Sequence, residues 1–281
     1  MPPLASLGDS FSSFFDAVGQ FFSRLAHVNF LSLLLALVAF TVYLTLRARA
    51  SFHILRAAYP DDRIAFRRIW GAYFAGYGFN SVIPARSGDV IRLFLTKTSV
   101  PESSYSAVAA AFFAQHPRFT LFVLTALGIA AMAAFALLSV RVRAFWSRVR
   151  QGLTILFDRR RYFREVWLVQ LAGWLCRFTA FWCLLDAFHV GGSVRNVLLV
   201  LGVNAVAALV PFTPGGAGVQ QALLVKVFGT GATVAAYSVG QQIAIAALTF
   251  CIGLAAVVWI FRFRSFKEVI AAGRASRAET A

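Results

Sequence analysis

Acid is scarce in this chain: eleven Asp and Glu stand against 27 Lys and Arg among 281 residues, for a formal charge of +16. Lysine is scarcer still, with only Lys97, Lys226 and Lys267, so the cationic character is almost entirely arginine. Cysteine occurs three times, at Cys176, Cys183 and Cys251, always inside an apolar run and never as a CxxC pair. That pattern excludes a disulfide framework and leaves three small hydrophobes that pack. The four histidines and the cysteines show no ligand spacing, so neither a metal nor another cofactor is expected. HExxH, GxSxG and GxxxxGK[ST] are all missing. An intramembrane aspartyl pair built from Asp89 and Asp186 lacks its motif context, so the chain is not expected to be an enzyme.

Apolar surface, by contrast, is abundant. Hydrophobic residues make up 59% of the chain and the mean hydropathy is +0.73, whereas a soluble domain carries roughly 45–50% apolar residues. Lipid must be the solvent for much of such a chain, which excludes a soluble enzyme, a disordered segment and a secreted scaffold. The cations are clustered between apolar stretches: six in 47–68, eight in 141–164 and five from Arg262 to Arg277, together 19 of the 27. The positive-inside rule places all three clusters, and with them the C-terminus, in the cytoplasm of a multi-pass cell (inner) membrane protein. Nucleic acid, the other partner of strongly basic chains, is not expected.

Residues 28–46, 66–84, 118–140, 163–188 and 233–261 are each long enough to cross a bilayer core of ~30 Å. Before them, Phe11, Phe14, Phe15, Val18, Phe22 and Leu25 recur at helical spacing and predict an amphipathic helix over 10–26, lying in the interface or packed across the bundle end. No cleavable signal peptide is expected, since Arg24 is the first basic residue. A second interfacial helix is expected over 145–157, with Phe145, Val149, Leu153, Leu156 and Phe157 on one face. The expected fold is therefore all-α, a polytopic transmembrane helical bundle of about six or seven spans with one or two re-entrant or broken helices. It divides into an interfacial helix (1–27), a transmembrane domain (28–262) and a basic cytoplasmic tail (263–281).

Two regions resist assignment as simple spans. Between 84 and 117 the apolar signal is broken by Pro84, Arg86, Asp89, Arg92, Lys97 and Pro117, and between 194 and 228 by Pro211, Pro214, Gly215, Gly216 and Gly218. The second region fits either a full span plus a short one or a re-entrant hairpin. Both regions carry Pro-x-x-x-Gly after an Asn-bearing apolar helix, Asn80 in one and Asn204 in the other. Paired Gly/Pro-interrupted segments of this kind point to a transporter-type site at a repeat interface.

Non-helical backbone inside a bilayer survives only against protein or a wet cavity, because its N–H and C=O groups otherwise lack partners. A helix starting near Val219 aims its N–H groups at the turn 211–218, an arrangement suited to a phosphate; a plain Pro-Gly break between helices is the alternative. Arg86 and Arg92 have the chemistry to clamp a phosphate, with Asp89 pairing with Arg92 or holding Arg86. The same residues also fit a salt-bridged interfacial helix whose arginines snorkel. Mid-span, Arg177 must face the bundle interior or water, either as a cavity cation or as a structural partner of a carboxylate; Asp186 falls on nearly the opposite face.

The stretch Gly78-Phe-Asn80-Ser-Val-Ile-Pro84-Ala-Arg86-Ser-Gly88-Asp89-Val-Ile-Arg92, together with Pro211-Phe-Thr-Pro214-Gly215-Gly216-Ala-Gly218, resembles the flippase-like transmembrane family, that of the membrane domain of lysylphosphatidylglycerol synthase. The resemblance runs over roughly 28–262. It implies a polytopic inner-membrane protein that handles lipids or lipid-linked molecules, and its pattern falls on Asn80, Pro84, Arg86, Gly88, Asp89, Arg92, Pro214, Gly215, Gly216 and Gly218. Two departures stand out. Members usually carry an acidic residue soon after the glycine turn, where this chain has Gln220-Gln221, and an acid-containing segment after the first motif, where it reads Gln115-His116-Pro117-Arg118. Both changes remove negative charge and turn the expected site toward anions. The synthase's soluble aminoacyl-transfer domain is not expected here.

The expected function is thus translocation of an anionic lipid or lipid-linked phosphate. Asn80, Arg86, Asp89, Arg92, Arg177, Asn204, Pro214, Gly215, Gly216, Gly218 and Gln221 form the candidate substrate site. The alternative is a non-transporting scaffold or regulatory subunit that docks envelope-biosynthesis proteins. Oligomeric state is left open.

Overall fold

A computed structural model describes residues 27–83, 87–100, 103–115, 147–208 and 218–262. No strand occurs among the described residues, and the helices are α1 (Phe30–Ala58), α2 (Phe66–Val82), α3 (Ser87–Ser99), α4 (Tyr105–Gln115), α5 (Arg159–Ala187), α6 (Val194–Ala207), α7 (Val219–Phe228) and α8 (Ala232–Trp259). The protein is all-helical, as its composition implies. Three helices, α1, α5 and α8, have 29, 29 and 28 residues and are long and apolar enough to cross a membrane. At 1.5 Å per residue each runs about 42–44 Å, against a hydrocarbon core of ~30 Å. On α1, Phe30, Leu31, Leu34, Leu35, Val38 and Val42 are all exposed and fall on one stripe, as expected of a face turned to lipid.

Helix α2 stops at Val82 rather than at residue 84. Pro84 accounts for this, since the residue before a proline is driven out of the α region. The region 84–117 yields two short helices, α3 and α4, and 194–228 yields another two, α6 and α7. In both regions the asparagine sits near the end of the preceding helix, Asn80 in α2 and Asn204 in α6, and a short helix follows the break. The expected amphipathic helix at 145–157 is described from residue 147; it is α-helical only to 152 and then tightens into a 3₁₀ turn, Thr154–Leu156. The change from 3.6 to 3.0 residues per turn rotates the face. Ile155 is consequently buried, while Leu156 and Phe157, expected on the apolar face, are exposed. The expected helix 10–26, the span 118–140 and the tail 263–281 lie outside the described residues.

The described residues divide into two compact units, one within 1–43, 80–87 and 174–251, the other within 44–79, 88–173 and 252–281. In the first unit, Phe40 meets Tyr43 and Phe181 edge-on at 5.5 and 6.4 Å. Phe188 likewise meets Tyr237 at 6.0 Å. Asp186 closes the tight turn after α5 by accepting from the Gly192 N–H at 2.6 Å.

The second unit has a core that includes Ile54, Leu55, Ile69, Val108, Ile155 and Val166. Its helices approach through glycine. A Cβ on Gly76 would lie 2.6 Å from the Arg92 Cβ and 2.9 Å from the Gly88 carbonyl, and one on Gly253 would lie 2.8 Å from the Phe74 carbonyl oxygen. Small residues permit such close contacts in membranes. Gly253→Ala should therefore lower the thermal midpoint of the detergent-solubilised protein, by the equivalent of about 1–3 kcal/mol. Gly202→Ala, which meets nothing within 4 Å, should leave the midpoint unchanged or raise it. Equal midpoints for the two variants would refute the close-packing account.

Candidate functional site: buried guanidinium groups in an apolar chain

The second unit gathers two buried arginines. Arg47 on α1 is 5% exposed and Arg92 on α3 is 8% exposed. Arg47 Nε donates to the Tyr73 hydroxyl at 2.8 Å, and Arg92 Nη2 donates to Ser51 Oγ at 3.2 Å. The Arg92 guanidinium lies 3.8 Å from the centroid of the Tyr73 ring and 4.1 Å from that of Phe112. Four helices supply the parts: Arg47 and Ser51 come from α1 one turn apart, Tyr73 from α2, Arg92 from α3 and Phe112 from α4.

This arrangement has a chemical logic. Arginine keeps its charge when buried and is weakly hydrated, so it tolerates a site that would neutralise a lysine. Aromatic rings satisfy the faces of the guanidinium, while bidentate recognition of phosphate or carboxylate proceeds through its edge. Among the described residues Arg47 and Asp89 act on Arg92 electrostatically. Asp89 itself is exposed. Arg47 lies about 26 Å along α1 from Phe30 at 1.5 Å per residue, beyond the last exposed apolar residue of the stripe, Val42. The cluster thus stands just beyond the exposed apolar stripe of α1, where the helix turns to arginine.

The first unit holds polar groups of another kind. Gln241 and Tyr237, one turn apart on α8, are 1% and 0% exposed. Among the described residues, both amide atoms of Gln241 and the Tyr237 hydroxyl have no hydrogen-bond partner, and neither do Asn204 Oδ1 and Arg177 Nε. Arg177 lies 5.1 Å from the Trp174 ring, with Tyr43 and Phe181 at 5.6 and 5.7 Å. At the start of α7, Gly218 adopts φ +82°, a conformation that suits glycine. Its N–H donates to Gln221 Oε1 at 2.6 Å, and Gln221 Nε2 donates to Gln242 Oε1. The Gly218 donor, expected to face a headgroup, is therefore occupied by the chain's own glutamine.

Of the sequence-predicted site residues, Arg92 and Asp89 fall in the arginine cluster. Arg177, Asn204, Gly218 and Gln221 belong to the first unit, as does Asn80, close to the break after α2. Arg86, Pro214, Gly215 and Gly216 lie outside the described residues. Sequence reasoning missed Arg47, Ser51, Tyr73 and Phe112 around Arg92, and Tyr237 and Gln241 on α8. Arg47 carried a signal, but it was read only as one more cytoplasmic cation.

Apolar spans with buried guanidinium and amide groups define a multi-pass helical membrane protein. Residues 11–256 match the family model described as the lysylphosphatidylglycerol synthase TM region. The chain belongs to that family. No curated protein and no solved structure matches it.

Proposed function

We propose that the protein translocates an anionic lipid or lipid-linked phosphate, and that Arg47 and Arg92 receive its headgroup in the second unit. The observation that carries this reading is the burial of two guanidiniums around one tyrosine, Tyr73, just beyond the exposed apolar stripe of α1. Guanidiniums placed in advance offer planar, bidentate donors to a phosphate, and ionisable groups buried in an apolar chain characterise substrate paths. The family, that of the lysylphosphatidylglycerol synthase TM region, agrees with a lipid substrate. Charge also supports a cytoplasmic placement of the arginine-rich stretches 47–68 and 141–164 and of the C-terminus in a cell membrane.

The test is lipidomics on gently purified protein, wild type beside Arg47→Gln/Arg92→Gln, which removes charge but keeps hydrogen-bonding side chains. The expected result is enrichment of an anionic lipid on the wild type and its loss from the variant, compared on equal amounts of folded protein isolated below the variant's midpoint. Transbilayer movement of that lipid in reconstituted vesicles should fall with it. Identical bulk-like profiles from two equally folded proteins would overturn the reading and leave the non-transporting scaffold.

A further inference from the structure

The start of α5 combines three features that the arginine cluster does not use. A surface cavity of about 350 Å³ is lined by Asp158, Arg160, Arg161, Arg164 and Glu165. Within it Arg161 Nε is held by Glu165 Oε2 at 2.9 Å, and the same carboxylate oxygen lies 3.4 Å from His53 Nδ1. The Asp158 side chain accepts from the Arg161 backbone N–H at 3.0 Å and caps the helix. With Arg161 and Glu165 occupied by each other, Arg160 and Arg164 face the single charge of Asp158. The cavity therefore carries one net positive charge, a match for a phosphodiester monoanion.

The second feature is a π-helical turn, Phe163–Trp167. It brings the Phe163 and Trp167 rings into a stack, 4.8 Å between centroids and 14° from parallel. Both rings are exposed, and the exposed apolar surface continues along α5 through Leu168 and Leu171. Stacked, exposed aromatics of this sort sit at headgroup depth with their edges in the acyl boundary. The third feature is their order along the helix. The charged cavity lies at the head of the apolar stripe, as a phosphate lies at the head of its acyl chains. A free phosphate has use for the arginines but none for the stripe.

We propose that this end of α5 is a second lipid site, which retains a phosphodiester lipid of net negative charge, one without a headgroup cation, with its phosphate on Arg160 and Arg164 and its acyl chains against Phe163, Trp167, Leu168 and Leu171. This lipid is held rather than carried: the site is an external surface of the second unit, separate in its residues from the buried Arg47–Arg92 cluster. Its function is to fix the depth of α5 in a membrane of the right charge.

The experiment is lipid binding to the full-length chain in neutral detergent, read by native mass spectrometry. The probes are phosphatidylglycerol, phosphatidylcholine and the soluble phosphodiester glycerophosphoglycerol. Wild type should retain phosphatidylglycerol over phosphatidylcholine. Arg160→Ala/Arg164→Ala, which alters two exposed side chains, should weaken that retention roughly thirtyfold at low salt, taking about 1 kcal/mol per arginine near a membrane surface. Phe163→Ala/Trp167→Ala should weaken binding of both lipids. Arg47→Gln/Arg92→Gln should leave the held lipid in place while losing the carried one, so failure here and failure of the translocase reading are separable. Unchanged retention in Arg160→Ala/Arg164→Ala would reduce the cavity to a solvated charged face and overturn the proposal. Glycerophosphoglycerol binding as tight as the whole lipid would overturn it equally, by making the site one for free phosphodiesters.

Discussion

Arg92→Ala should destabilise the protein by about 3–5 kcal/mol and abolish its preference for anionic lipid, whereas Arg92→Lys should lose the preference with a smaller loss of stability. The first figure follows from what the side chain touches. Desolvated cation–π contacts are worth up to about 2 kcal/mol each, and a hydrogen bond from a charged donor about 1.5–3 kcal/mol. Arg92 has two ring contacts, with Tyr73 and Phe112, and donates to Ser51. These contributions share one guanidinium and do not add in full. Lysine keeps the charge but not the plane: an ammonium cannot lie flat between two rings or present a bidentate edge to a phosphate. The check is a denaturation midpoint in defined detergent together with the co-purified lipid profile, measured below the midpoint of the weakest variant. An Arg92→Ala protein as stable as wild type would refute the aromatic clamp. A lysine variant with wild-type lipid preference would show that charge alone selects the lipid, without edge geometry.

The residues of this cluster show how much the chain discloses on its own. Apolar length is legible, so α5 and α8 fall close to where hydropathy puts them, and the breaks at Pro84 and before Val219 separate short helices as expected. Helix α1 starts close to where expected but runs to Ala58, twelve residues past the expected end at 46, because arginines that end an apolar window do not end a helix. Arg92 is legible as a chemical group, because a cation next to Pro-x-x-x-Gly in an apolar chain needs an explanation. Its surroundings are not legible. Tyr73, Phe112 and Arg47 sit 19, 20 and 45 positions away, and only the packing of α1 to α4 makes them neighbours. A spacing pattern has no way to record such a meeting. The positive-inside rule even conceals it, since Arg47 counts there as one charge among six rather than as a buried group hydrogen-bonded to Tyr73. The face at 145–157 fails for a local reason: the 3₁₀ turn at Thr154–Leu156 shifts the register that a 3.6-residue period assumes. Gln221 stands where relatives of the resembled family usually carry acid. Its role is visible only in three dimensions, as the acceptor that caps Gly218 and the donor that ties α7 to Gln242 on α8.

Gln241 was the least legible of all, because one uncharged amide barely disturbs the hydropathy of a 28-residue apolar helix. It also yields the second large prediction. Gln241→Leu should raise the stability of the folded protein by about 1–3 kcal/mol, the penalty of burying polar atoms without partners. Both its amide atoms lack a partner among the described residues at 1% exposure, and leucine fills a similar volume with nothing to satisfy. Tyr237→Phe should raise it by less, since it removes one hydroxyl and keeps the ring against Phe188. The two sites are one helical turn apart, so their gains need not add. Stabilising substitutions are common where a residue is retained for activity rather than for packing. The informative readout is therefore paired: the midpoint in detergent and the rate of lipid movement in vesicles. A higher midpoint with slower movement would mark the Tyr237–Gln241 face of α8 as part of the working path through the first unit. A lower midpoint would refute the premise, because it would mean that the amide is hydrogen-bonded in the folded protein and that its removal strands a partner.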